Sequence, residues 1–136
     1  MTEAATLPSP LRVLIVEPDE CIRESLAGIL RIGGRCAVVG SAGGADEAIS
    51  SAATIQPDAV LLDPRLPVGS GGRAIVTCLR EVAPAIRILV LRSGDGVEPS
   101  PSDADAPPHA DAYIKKTFRP HELIDAVLSA ARSTVA

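Results

Sequence analysis

Aromatic residues are almost missing from this chain of 136 residues: Tyr113, Phe118 and no Trp. Proteins that hold single-stranded nucleic acid need aromatic stacking platforms, and this chain has nearly none. An excess of positive charge is missing too. The formal net charge is −4, the opposite of the electrostatic footprint of a nucleic-acid binder. No apolar stretch approaches the roughly 18 residues that cross a bilayer. Residues 1–10 lack the basic flank and apolar block of a secretory signal. The expectation is therefore a cytoplasmic protein with no membrane segment. The three cysteines, Cys21, Cys36 and Cys78, form neither a metal-binding spacing nor a disulfide framework. They are expected as small buried apolar side chains. What is present is an ordinary globular mix, 46% hydrophobic and 22% charged, in a length that suits one domain with a real core.

The most informative stretch is residues 59–63, Ala-Val-Leu-Leu-Asp, where an unbroken apolar run ends in a carboxylate. Pro64, Pro67, Gly69, Gly71 and Gly72 follow, so the run reads as a buried strand ending in a turn. Asp63 then either brackets that turn or stands at a strand's carboxyl end, where open α/β sheets collect ligands. The rest of the chain alternates in the same manner. Residues 1–10, with Pro8 and Pro10, read as a flexible tail. Leu11 to Val16 is a first strand, followed by the acidic turn Glu17-Pro18-Asp19-Glu20. Asp19 is placed to cap a helix running to about Ile32, which Gly33 and Gly34 end. Ile22, Leu26, Ile29 and Leu30 form its apolar stripe. Cys36 to Gly40 is a second strand, Ala45 to Ile55 a helix, Arg73 to Val82 another, and Ile86 to Leu91 a fourth strand.

Residues 94–110 depart from the alternation. Pro99, Pro101, Pro107 and Pro108 stand among Ser, Asp and Ala, a loop composition where the order of elements leaves room for a helix. Ala112 to Ile114 is a fifth strand. Pro120 opens a last helix to about Arg132 with Leu123, Ile124, Val127 and Leu128 inward. Strands alternating with helices imply parallel pairing through right-handed crossovers. The expectation is an α/β fold: a flavodoxin-like, doubly wound, five-stranded parallel sheet in the order 2-1-3-4-5, its fourth helix shortened or missing.

In that order the ends of the first, third, fourth and fifth strands are neighbours. Glu17, Asp19, Asp63, Arg92, Ser93, Lys115 and Lys116 then converge at one edge. Carboxylates beside a Lys suit phosphoryl transfer, with acids holding a cation, one acid attacking phosphorus and Lys neutralising its oxygens. With Asp63, Leu66, Pro67 and Gly71 in one motif, and Tyr113-Ile114-Lys115-Lys116 in another, the chain from Leu11 to Ala131 resembles the receiver domain of bacterial two-component response regulators. The stretches VVGSAGGADEAIS, PDAVLLDPRLP and VLR look most like receivers that carry helix-turn-helix output domains. The resemblance implies a receiver over residues 11–134, not an enzyme, either stand-alone or part of a longer protein. It implies Asp63 as phospho-acceptor, Lys116 as phosphoryl contact, Tyr113 as switch aromatic and the Arg65 carbonyl as a metal ligand. It also implies Mg²⁺ as cofactor and a sensor histidine kinase or another signalling protein as partner. A dimer through the first and last helices is a further expectation. Structural readings stand beside these: Lys116 as a solvated charge, Tyr113 as plain packing.

Four departures from the family pattern bear on function. The acidic pair after the first strand is Glu17-Pro18, and Pro18 offers no side-chain oxygen. Asp19 stands one position late. Mg²⁺ demands near-ideal octahedral ligands, so its binding is expected to be weak or lost. Arg92 stands where the family has a switch hydroxyl, either reaching Asp63 or pointing to solvent. Ser93 is a substitute hydroxyl that strand alternation aims elsewhere. The family's Lys-Pro is Lys116-Thr117, which predicts a trans bond, since a cis bond before a non-proline residue costs about 2.5–4 kcal/mol. The Pro-rich stretch weakens or reroutes coupling to the output surface. The favoured expectation is an atypical receiver acting as a protein-interaction module. A conventional receiver switched by a histidine kinase is the alternative. An unrelated nucleotide-binding or phosphatase fold fits poorly: the glycine clusters do not follow the first strand, and Arg65 stands where a haloacid-type phosphatase would place a second Asp.

Overall fold

A computed structural model describes residues 9–63, 75–92 and 110–132, with Arg92 by its backbone alone. The expected tail, the Gly-rich loop after Asp63, the Pro-rich stretch and the chain end lie outside those residues, apart from a few flanking positions. The elements are β1 (Leu11–Val16), α1 (Glu20–Arg31), a 3-10 turn (Ile32–Gly34), β2 (Cys36–Ala42), α2 (Ala45–Ile55), β3 (Ala59–Leu62), α3 (Ile75–Val82), β4 (Arg87–Arg92), β5 (Ala112–Lys115) and α4 (Pro120–Arg132). The five strands form one sheet in the order β2-β1-β3-β4-β5, and every neighbouring pair is parallel.

Alternation along the strands sorts the core into two layers. Val13, Ile15, Leu61, Leu89, Leu91 and Ile114 pack against α1 and α4. Leu14, Val16, Val60, Leu62, Ile88 and Val90 pack against α2 and α3. Burial on both faces is why β1, β3 and β4 read as continuous apolar runs rather than alternating ones.

The ends of the elements have local causes. Asp19 caps α1, its Oδ1 accepting from the Ile22 N–H at 3.1 Å. Gly33 and Gly34, at φ 81° and 71°, turn the chain out of α1 through backbone that glycine adopts without strain. Gln56 ends α2 in the left-handed region, and its amide donates to the Ala52, Ala53 and Val82 carbonyls. Arg12 donates to the Ile55 and Gln56 carbonyls, a cation at the negative end of α2. β2 continues past Gly40 to Ala42, longer than its composition suggests. Gly40 is not a turn glycine there: a Cβ would meet Ile55 Cδ1 at 3.0 Å and Leu14 Cδ1 at 3.2 Å, so its bareness lets both side chains close over the strand.

Asp111 fastens the entry of β5. Its Oδ2 accepts from the Ile88 N–H at 2.7 Å and from Arg80 Nη2 at 2.9 Å, and Arg87 stands 3.8 Å from Oδ1. One carboxylate thus joins α3, β4 and the start of β5. Asp111→Ala is expected to cost about 2–3 kcal/mol, because hydrogen bonds to a charged group carry about 1.5–3 kcal/mol and the Ile88 N–H loses its acceptor. Asp111→Asn retains that acceptor and costs about half as much. Urea denaturation of the two variants measures the difference.

One sequence expectation needs correction. Cys36 is buried, but Cys78 is half-buried and Cys21 is exposed. Cys21 falls on the outer face of α1, next to a first turn that faces solvent. Burial pushes the Cys36 thiol up, against the opposing pull of the Arg35 and Arg132 guanidinium groups. Brief alkylation at neutral pH is expected to modify Cys21 first and to spare Cys36, as peptide mass mapping would read.

Candidate functional site

The site is built where the sheet ladder runs on past the strand ends. The Glu17 N–H donates to the Ala42 carbonyl at 3.0 Å, and the Asp63 N–H donates to the Val16 carbonyl at 3.1 Å. Val16 pairs with Leu62 in the register of β1 and β3, so Glu17 and Asp63 follow on adjacent strands as neighbours. Both carboxylates are therefore held by strand hydrogen bonds rather than by loops. Glu17 is 0% exposed and Asp63 is 2% exposed, and they are the two buried charged side chains among the described residues.

Lys116 arrives from the end of β5. Its Nζ donates to Glu17 Oε1 at 3.2 Å and lies 3.6 Å from Asp63 Oδ2. The other Glu17 oxygen, Oε2, accepts from the Asp19 N–H at 3.0 Å. Arg23 Nη1 donates to the Glu17 carbonyl at 2.8 Å and so fixes the turn that carries the carboxylate. Nothing in the sequence pattern marks the Arg23 contact beyond its place one turn after the cap. A buried carboxylate pair survives only when compensated, and among the described residues an ammonium near both acids contributes to that compensation.

The remaining predicted site residues fall as follows. Asp19 is at the site, but its carboxylate is the α1 cap. Tyr113 is on β5, paired in register with Val90 and 39% exposed. The Arg92 backbone ends β4 opposite Lys115, while its side chain, Ser93 and Arg65 lie outside the described residues. The Lys116–Thr117 bond is trans, as are all peptide bonds among the described residues.

Among the described residues, few of the donors expected for Mg²⁺ are open to it. Pro18 contributes no side-chain oxygen, the Asp19 carboxylate is engaged as a cap, and both Glu17 oxygens already have donors. Among the described residues no group of three His, Cys, Asp or Glu side chains is placed to hold a metal ion. The arrangement still offers a buried carboxylate with a cation beside it, the minimum for an acid that accepts an electrophile and an ammonium that steadies the charge.

Comparison with known proteins agrees with this geometry. A family model described as the response regulator receiver domain matches residues 13–128. Response regulator MprA of Mycolicibacterium vanbaalenii is 34% identical over 125 residues, covering 92% of this chain and 52% of that protein. Transcriptional regulatory protein PdtaR of Mycobacterium tuberculosis is 35% identical over 127 residues, covering 93% of this chain and 59% of that protein. The chain thus spans little more than half the length of these curated relatives. Among solved structures, a LuxR-family two-component response regulator from an Aurantimonas species superposes with a TM-score of 0.72 at 28% identity, covering 90% of this chain and 86% of that one.

Proposed function

The chain belongs to the response regulator receiver domain family, and from that premise we propose that it is an atypical receiver, a protein-interaction module whose Mg²⁺-dependent phosphorylation at Asp63 is weakened or absent. Receiver domains work in two-component signalling, and they are signalling modules rather than classical enzymes. They interact with histidine kinases and phosphodonors, and they generally bind Mg²⁺ at the phosphorylation site. The observation that carries the atypical reading is the commitment of Glu17: one oxygen on Lys116, the other on the Asp19 N–H, with Pro18 in the neighbouring position.

In this reading Asp63 is the acid where a phosphoryl group would bond, through a carboxylate oxygen attacking phosphorus as the donor's leaving group departs. Lys116 is the contact that would steady the new oxygens. Arg92, Ser93 and Tyr113 are proposed as its remaining switch contacts. Glu17, Asp19 and the Arg65 carbonyl are what is left of a metal site. The net charge of −4 favours a protein partner over direct contact with nucleic acid. No helix among the described residues is long and apolar enough to cross a membrane, and a cytoplasmic place with dimerisation through α1 and α4 completes the proposal.

A conventional phospho-switch is the second reading, and the 3.6 Å approach of Lys116 to Asp63 favours it. Incubation with acetyl phosphate and magnesium chloride separates the two. The expected mass spectrum is dominated by unmodified protein. A stoichiometric phosphoryl adduct that disappears in Asp63→Asn would establish the conventional switch instead.

A further inference from the structure

Resting on the proposed role of Lys116 at Asp63, we infer that Thr117 is a positioning residue: its hydroxyl, clipped between the Arg119 N–H and the Glu122 carboxylate, ties the turn that carries Lys116 to the first turn of α4. Thr117 Oγ1 accepts from the Arg119 N–H at 3.2 Å and donates to Glu122 Oε1 at 3.3 Å. The Arg119 carbonyl accepts from the Leu123 N–H at 3.0 Å, so Arg119 is the cap residue of α4 and Glu122 the third residue of the helix. In an ordinary capping box a carboxylate at that position reaches back to the cap N–H directly. Here the Thr117 hydroxyl stands between them, and a residue two places before the cap is drawn into the same fastening.

The clip joins a fixed body to a free one. On one side α4 is anchored, with Leu123, Ile124, Val127 and Leu128 buried in the layer it shares with α1. On the other side Lys116 directly precedes Thr117. Residues 116–119 cross from the end of β5 to Pro120, all through trans bonds. A lysine stem is rich in rotamers and fixes nothing by itself. Site geometry holds to within about 0.5 Å only when the residues behind it are locked. Among the described residues, the side-chain bonds within this turn are the two of Thr117 and that of Arg119 Nη1 to Glu122 Oε2 at 3.4 Å. The last joins groups 82% and 53% exposed, the kind of pair that contributes little. The half-buried Thr117 is therefore the residue that sets where Lys116 stands.

The chain has two lysines, Lys115 and Lys116, so ¹⁵N-lysine labelling gives two ammonium groups by NMR, with exposed Lys115 as the internal reference. In metal-free buffer without a phosphodonor, the ammonium protons of Lys116 are expected to exchange with water more slowly than those of Lys115. Thr117→Val keeps the shape and removes the hydroxyl, and is expected to speed the Lys116 exchange several-fold while Lys115 is unchanged. Thr117→Ser restores the hydroxyl and is expected to restore the slow exchange. Glu122→Ala, at an exposed position, is expected to move Lys116 in the same direction as Thr117→Val, and it carries the test if Thr117→Val does not fold. A lower Tm with Lys116 exchange unchanged would make Thr117 a helix cap alone and overturn the positioning role. Equal acceleration in Thr117→Ser and Thr117→Val would overturn the part given to the hydroxyl. Neither metal nor phosphodonor is present, so this experiment can fail while the weakened-site reading stands. A stoichiometric phosphoryl adduct with Lys116 still following Thr117 would end that reading and leave the clip in place.

Discussion

Lys116→Met is expected to lower the stability of the domain by about 3–5 kcal/mol, the usual loss when one partner of a buried ion pair is removed. The figure is large because of what remains. At the 3.2 Å of Glu17 and the 3.6 Å of Asp63, with an effective dielectric near 20, each ammonium–carboxylate attraction is about 5 kcal/mol. Taking the charges out of water costs several kcal/mol per ion, so the assembled cluster contributes little net stability. Methionine keeps most of the stem's volume but removes the ammonium beside Glu17 and Asp63, which are 0% and 2% exposed. Glu17→Gln is the milder change. It removes one buried charge, leaves Lys116 with Asp63, and keeps an oxygen for the Asp19 N–H. Urea denaturation with an unchanged m value reads the difference directly. A loss below about 1 kcal/mol for Lys116→Met, the range of exposed surface pairs, would mean that Lys116 does not compensate the acids.

The second large effect lies in the scaffold. Leu61→Ala is expected to cost about 3–5 kcal/mol, the upper part of the range for buried leucines. Leu61 is on β3, in the middle of the sheet, paired in register with Ile15 on one side and Leu89 on the other. All three are 0% exposed in the layer beneath α1 and α4. A cavity there is walled by strands whose spacing is fixed by hydrogen bonds, so the site has little freedom to collapse. The loss should appear as a lower urea midpoint with the fold retained. A cost near that of Ile→Val, about 1 kcal/mol, would show that the helices settle into the gap.

Much of this architecture is legible in the sequence because its punctuation is strong. Val16 is followed by an acidic turn with Pro18, Ile55 by Pro57, and α4 opens at Pro120, so β1, α2 and α4 stand where those residues place them. Two expectations failed where a residue has two meanings. Gly40 reads as a stop, yet in β2 it answers the crowding of Ile55 and Leu14. Cys21 reads as apolar, yet helical phase turns it outward.

The site divides in the same manner. That Glu17 and Asp63 stand side by side follows from strand order, since β1 and β3 are adjacent, and Lys116 comes to the same edge from β5, beyond β4. That Lys116 bonds Glu17 at 3.2 Å, and that Asp111 gathers Arg80 and the Ile88 N–H, does not. Long side chains choose among partners by torsions that no periodicity records. The family motif even points elsewhere, because it assigns the lysine to the acceptor acid and leaves the glutamate's partner unstated.

The ladder bonds that carry Glu17 and Asp63 also bear on how such a site changes over generations. Parallel strands lie about 4.8 Å apart whatever their side chains, and the backbones of both acids are pinned into that spacing. Exchanging an acid, an ammonium or Pro18 alters the chemistry while the stage beneath it stays still. The side chains at this edge can therefore change while the spacing of the backbones that carry them stays the same.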